Sequence, residues 1–311
     1  MRGRNLHSRY IVVESDHETE TTVDTRWDEP SERSVKRIVG ILAAVCACLA
    51  AVAIASLLYA RPRPDRAWVP QQAVMARADI RGDSVTLRRM RNFSYTAEEA
   101  FTPAYEDRSY DLNKLETVWF IVTPFSKRWR GPAHTFVSFG FGDSQYVAIS
   151  VEARREPGET YGPLSGLFRR FELIYVIGEE RDLIGSRAAY GGYDVYVYPI
   201  RASREQIRAL FVEMLERSNS LATRPEFYNT LTNNCTSNVV DHVNHIAPHA
   251  VPHGIKTILP GYADEVAYSL GLIDNSMTLE EARRRFKVND QAKRFATAPD
   301  FSRRIRAGAG S

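Results

Sequence analysis

Cysteine is scarce, with only three in 311 residues, and two of them, Cys46 and Cys48, lie inside one apolar run. That count excludes a disulfide framework, and the distance along the chain from that pair to Cys235 argues against a metal knuckle. Cys235 is therefore expected to be a free thiol. Charge of one sign is lacking too: 41 Lys and Arg stand against 38 Asp and Glu, a net of +3. No strong basic field points to nucleic acid. Gly140 and Gly142 have neither the spacing nor the following Lys-Ser/Thr of a phosphate loop. No internal repeat is present, which excludes a solenoid. His242, His245, His249 and His253 are dense, but Pro248 and Pro252 break any shared helical face and no Cys or carboxylate pattern completes a zinc set. Neither a metal nor a cofactor is expected.

What is present begins with 44% apolar residues, ordinary for a globular protein with a real core. Residues 1–37 carry charges of both signs without a period and read as a flexible tail. Residues 38–60 form an apolar segment between Lys36-Arg37 and Arg61-Pro62-Arg63, long enough to span a bilayer. A cleaved signal peptide is the rival reading, disfavoured by the long acidic tail ahead of the run. The same position counts against lipidation at Val45-Cys46-Ala47-Cys48. Basic residues flank both ends, so charge counting leaves the orientation open. Residues 61–73 make a Pro-rich connector, 74–306 a folded domain, and 307–311 a short tail.

Within that domain, β-branched and aromatic content predicts strands at Ser84–Leu87, Val118–Val122, Glu172–Ile177 and Tyr193–Tyr198, with Tyr95–Tyr110 as a connection. His134–Phe141 and Gln145–Ala153, separated by Gly142-Asp143-Ser144, read as a hairpin. Its antiparallel pairing brings His134 near Glu152, and a carboxylate beside an imidazole fixes the tautomer of a general base. Ser203-Arg204-Glu205-Gln206 opens a capped amphipathic helix, Tyr262–Leu270 reads as another, and Thr278 opens a third.

Cys235 follows Thr232, Asn233 and Asn234, which are cap-competent, and precedes the apolar spacing of a helix. A helix N-terminus favours the thiolate and offers N–H donors to an oxyanion. Cys235 is thus a candidate nucleophile, set against the plainer reading of a small buried apolar residue.

Four motifs in order, Ala133-His134-Thr135-Phe136-Val137-Ser138-Phe139, Ser150-Val151-Glu152-Ala153-Arg154-Arg155-Glu156, Glu172-Leu173-Ile174-Tyr175-Val176 and Asn233-Asn234-Cys235-Thr236, resemble the DUF4105 family. It is also called the Lnb N-terminal periplasmic domain, after a bacterial lipoprotein N-acyltransferase, and the resemblance runs from about Val74 to Phe301-Ser302. It implies an α+β fold: an antiparallel sheet packed with helices, in a circularly permuted papain-like (NlpC/P60-like) core. It further implies Cys235 as nucleophile, His134 as base, Glu152 as a supporting residue, and site support from Asn234, Asn233 and Arg154. The expected protein is a single-pass inner-membrane enzyme with its catalytic domain in the periplasm. Its substrate would be a membrane lipid or lipoprotein acted on by acyl transfer or hydrolysis, with no nucleic-acid partner. A cell-wall peptidase or amidase and a non-catalytic envelope scaffold are the alternatives.

Overall fold

The structure, a computed structural model, describes residues 32–63, 65–128, 130–142, 144–247, 250–252, 254 and 259–307. The chain forms two compact units, Met1–Leu58 and Tyr59–Ser311. Helix α1 (Glu32–Tyr59) carries a stretch, Glu32–Ala55, long and apolar enough to cross a membrane by length and composition. It starts ahead of the apolar run because Glu32, Arg33, Lys36 and Arg37 are themselves good helix formers, and Lys36 pairs with Glu32 one turn back. Most of the expected 1–37 tail lies outside the described residues.

In the second unit the elements run β1 (Arg77–Arg81), β2 (Ser84–Arg91), β3 (Ser94–Tyr95), β4 (Phe101–Thr102), β5 (Tyr105–Asp111), β6 (Leu115–Pro124), β7 (Ala133–Phe141), β8 (Gln145–Arg154), α2 (Pro163–Leu167), β9 (Glu172–Gly178), α3 (Glu180–Leu183) and β10 (Tyr196–Pro199). Then follow α4 (Arg204–Leu221), α5 (Cys235–Ile246), α6 (Ala263–Ser269), α7 (Leu279–Arg285), α8 (Asn289–Arg294) and α9 (Phe301–Arg304). One large sheet has the order β1-β2-β9-β8-β7-β6-β10, with β5 paired to β2. Its pairs are antiparallel except β2 with β9.

The expected sheet packed with helices is present, and helices cover both of its faces. On one face Val137, Phe139 and Tyr175 pack with Ile207, Phe211 and Leu215 of α4, Val239 of α5 and Ala267 of α6. On the other, Phe136, Ala148 and Ile174 pack with Leu183 of α3, Ala292 of α8 and Phe301 of α9. Hence β7 is buried along its whole length, as a strand between two helical layers must be.

The hairpin is β7–β8, and the capping boxes at Ser203 and Thr278 open α4 and α7. The expected connection at Tyr95–Tyr110 is corrected: it holds β4 and β5, and β5 is a strand with little burial. A solvated sheet margin tolerates the charged Glu106, Asp107 and Arg108, so composition concealed it. β10 begins at Tyr196, later than the Tyr193 expected.

The buried pair Arg91–Asp182 ties β2 to α3. Arg91 donates to both carboxylate oxygens at 2.8 Å, and the Phe93 amide donates to the same group.

Candidate active site

Cys235 is the first residue of α5, and Asn234 is its N-cap. Asn234 Oδ1 accepts from the Thr236 and Ser237 amides at 2.8 and 2.9 Å, while its Nδ2 donates to the Thr230 carbonyl at 2.7 Å. Both ends of the Asn234 side-chain amide therefore help to hold the turn. Asn233 likewise donates to the Phe227 carbonyl and accepts from Asn238, which locks the loop ahead of the helix. The donors left at this helix end differ from those expected, because the cap consumes two first-turn amides. Asn234→Ala is expected to lower stability by about 1–2 kcal/mol, read as a thermal shift, since it orphans both amides and frees the Thr230 carbonyl.

The thiol is buried and faces Thr135 and Thr236, with Thr236 Oγ1 at 3.9 Å from Sγ. The Thr135 and Thr236 hydroxyls bond each other at 3.0 Å. Burial raises the thiol pKa, and the polar groups of Thr135 and Thr236 beside the sulfur pull it back.

His134 takes the other face of β7, stacked on Phe136. Its Nε2 lies 2.7 Å from Ser150 Oγ, and Ser150 donates to Glu152 Oε1 at 2.8 Å. Glu152 also accepts from Arg187 at 2.9 Å and Gln72 at 2.8 Å. Burial opposes ionisation of Glu152, but Arg187 and His134 hold its pKa below the usual carboxylate range. An ionised carboxylate only accepts, so the single Ser150 hydrogen goes to Glu152 and His134 Nε2–H must donate to Ser150. The unprotonated nitrogen is then Nδ1. Burial first, then Arg187, lowers the His134 pKa to about 3 against the opposing pull of Glu152. The imidazole is neutral at ordinary pH and holds its lone pair on Nδ1.

This network also sets a pH dependence. Between about 3 and the ordinary value of 6.5 the unfolded chain binds a proton at His134 that the folded chain does not. Glu152, also lowered, acts in the same sense below its ordinary value of 4.5. Stability should therefore fall as pH drops from 7 toward 4, and His134→Gln should flatten the upper part of that slope in a series of melts.

The structure joins His134 to Glu152 through Ser150. Among the described residues no hydrogen bond joins either of them to Cys235. The two side chains approach β7 from opposite faces, at the level where the sheet opens. Pairing of β7 with β8 stops at Val137–Ile149, while β7 continues with β6 to Ala133 and β8 with β9 to Arg154. No closed ladder of main-chain bonds therefore lies between β7 and β8 beside Thr135.

Arg154 lies apart from both groups. It donates to the Gln72 and Ala73 carbonyls at 3.0 Å and stacks 4.3 Å from the Trp68 ring, pinning the segment before β1 onto β8. No site role is assigned from sequence to Ser150, Thr135, Arg187 or Gln72, although the first two fall within the motifs. Ser150 had a signal, since it shares a strand face with Glu152 two residues on. Of the histidine group, His242 and His245 both bond Glu213, and His242 also meets the Tyr175 hydroxyl. His249 and His253 lie outside the described residues.

An apolar cavity of about 210 Å³ begins at Thr236 and continues along Val239, Val240 and Val243 of α5, with α4, α6 and the sheet closing its other sides. No curated protein and no solved structure matches the chain. The family model described as the Lnb N-terminal periplasmic domain matches residues 101–261, which hold β7, β8 and Cys235. With half of its length so matched, the chain belongs to the Lnb N-terminal periplasmic domain family, and its helix α1 fits a single-pass membrane protein whose folded domain is periplasmic.

Proposed function

We propose that this protein is a membrane-anchored cysteine acyltransferase or hydrolase of the bacterial envelope, with Cys235 as nucleophile and His134 as general base. The observation that carries this reading is the apolar cavity lined by Thr236, the residue after Cys235, and by the next turns of α5. Its lining is mostly Val, Ala, Leu and Ile, with Thr236, Gln206 and Arg201 as the polar members, which suits an acyl chain better than a highly charged cell-wall peptide. An apolar cavity of ~150 Å³ is enough to bind benzene, so about 210 Å³ accepts a stretch of hydrocarbon chain.

In the proposed reaction Cys235 Sγ attacks the carbonyl of an acyl ester and its proton passes to His134, a step that requires the imidazole to come within hydrogen-bond reach of the thiol once substrate is bound. The C–O bond breaks, the leaving alcohol takes that proton, and a thioester on Cys235 remains. An amine or water then attacks the thioester, His134 accepts its proton, and the proton returns to the departing thiolate. The acceptor that follows from the activity behind the family's name is the N-terminal amine of a lipoprotein. Ser150 and Glu152 hold the base in its working tautomer. The order of β7 before α5 suits a circularly permuted papain-like core, and α1 would anchor the enzyme in the inner membrane.

Intact-protein mass spectrometry after incubation with membrane lipids tests this. A hydroxylamine-sensitive acyl adduct on the native chain, lost in Cys235→Ser, is the expected result. No acyl adduct, combined with release of a cell-wall peptide that depends on Cys235, would replace this reading with a peptidase.

A further inference from the structure

Helix α1 ends at Tyr59, and four residues later the Arg63 amide donates to Glu172 Oε1 at 2.7 Å. Four extended residues span at most about 14 Å. Only that short stretch of chain therefore joins the end of α1 to the Glu172 end of the sheet. Glu172 opens β9 and pairs with Arg154, two residues beyond Glu152 at the end of β8. The Arg63 contact thus falls at the end of the sheet that carries the candidate site.

The surface there has two features. Leu164 of α2 is 73% exposed and Phe168 just after it is 63% exposed, among the largest exposures of bulky apolar side chains in this unit. Beside them runs a groove of about 640 Å³ lined by Arg61, Arg63, Arg66, Arg169 and Arg170. Glu156 and Glu159 share the groove and pair with Arg66 and Arg170, so the lining keeps a net positive charge. Apolar tips rimmed by arginine match a lipid interface, where hydrocarbon lies just beneath a layer of phosphate. α2 is also fastened to the loop before Cys235, since Thr230 Oγ1 donates to the Pro163 carbonyl at 2.7 Å.

We propose that this face is a docking surface for anionic phospholipid. Leu164 and Phe168 enter the interface of the membrane that holds α1, and the arginine groove meets the headgroup phosphates. If Cys235 is the nucleophile proposed above, docking presents its loop to lipid, but the surface itself does not depend on that chemistry.

The test uses the full chain carrying Cys235→Ser, so that catalysis plays no part. It is placed in nanodiscs of phosphatidylcholine with or without phosphatidylglycerol. Photoreactive benzoylphenylalanine replaces Phe168 in one protein and, in another, Gln145, which is exposed at the opposite end of β8. The expected result is a phospholipid-mass adduct at position 168 that rises several-fold with phosphatidylglycerol and is absent at position 145. Removing two charges with Arg169→Asn and Arg170→Gln should lower the yield on the order of tenfold. Asn is chosen because Arg169 has φ +54°, which Asn tolerates. If that variant melts lower than its parent, Arg63→Gln carries the same comparison, because the Arg63 side chain is exposed. Equal yields at the two positions, indifference to phosphatidylglycerol, or cross-linking of position 168 to protein in place of lipid would each overturn the proposal.

Discussion

Cys235→Ser should lower acyl transfer or hydrolysis by at least about a thousandfold while leaving the melting temperature near that of the native protein. The thiol makes a 3.9 Å contact with Thr236, and its loss leaves the Asn234 cap and the packing of α5 in place. Steady-state rates on a lipid ester, with a melt on the same samples, check both halves of the statement. His134→Ala should cost on the order of a hundredfold to ten-thousandfold, the range of a positioned general base. The pH profile separates the two residues. His134 is neutral above about 3, so no inflection is expected near 6.5. The raised thiol pKa makes the rate climb toward alkaline pH, and His134→Ala should steepen that dependence because proton removal then falls to hydroxide. An unchanged rate in Cys235→Ser would sink the nucleophile and favour a scaffold.

Asp182→Ala should be the most damaging single change to the fold, at about 3–5 kcal/mol, or on the order of 10 °C in melting temperature. Asp182 is fully buried and Arg91 nearly so, with side-chain exposures of 0% and 7%. Removing the carboxylate strands a buried guanidinium and orphans the Phe93 amide as well. A hydrophobic replacement of both partners should recover part of the loss, which a melt of Arg91→Met with Asp182→Leu would read. The double variant rules out simple intolerance of mutation at this junction. Arg91 also acts electrostatically on Glu152, so Asp182→Ala should disturb the His134 network in addition to the fold.

The legible parts of this protein were those with local signals. The β7–β8 hairpin follows from two apolar runs around a short turn, and the helices at Ser203 and Thr278 from a cap residue with Gln or Glu three places on. Cys235 at a helix start was legible from Asn234 and the spacing that follows, because an N-cap is a property of a few adjacent residues. The His134–Glu152 approach was legible because the hairpin's register, continued past its last pair Val137–Ile149, sets the two opposite each other.

The rest depends on where distant segments meet. β5 was missed since a solvated edge strand and a polar connection have the same composition. That helices cover both faces of the sheet, and that His134 and Cys235 approach β7 from opposite sides, follows from packing of α3 and α5, which no run of residues encodes. Ser150 between His134 and Glu152, the ion pair from Arg187, the cavity from Thr236 along α5 and the arginine groove beside Phe168 are likewise assembled from residues far apart in the chain. Sequence alone determined the apolar helix, the hairpin and the capped cysteine, because each is specified by neighbours within a few residues. Tertiary structure alone decided which nitrogen of His134 holds the lone pair, what lies beside the thiol and which face carries the arginine groove, because those depend on side chains brought together only by burial of the two cores.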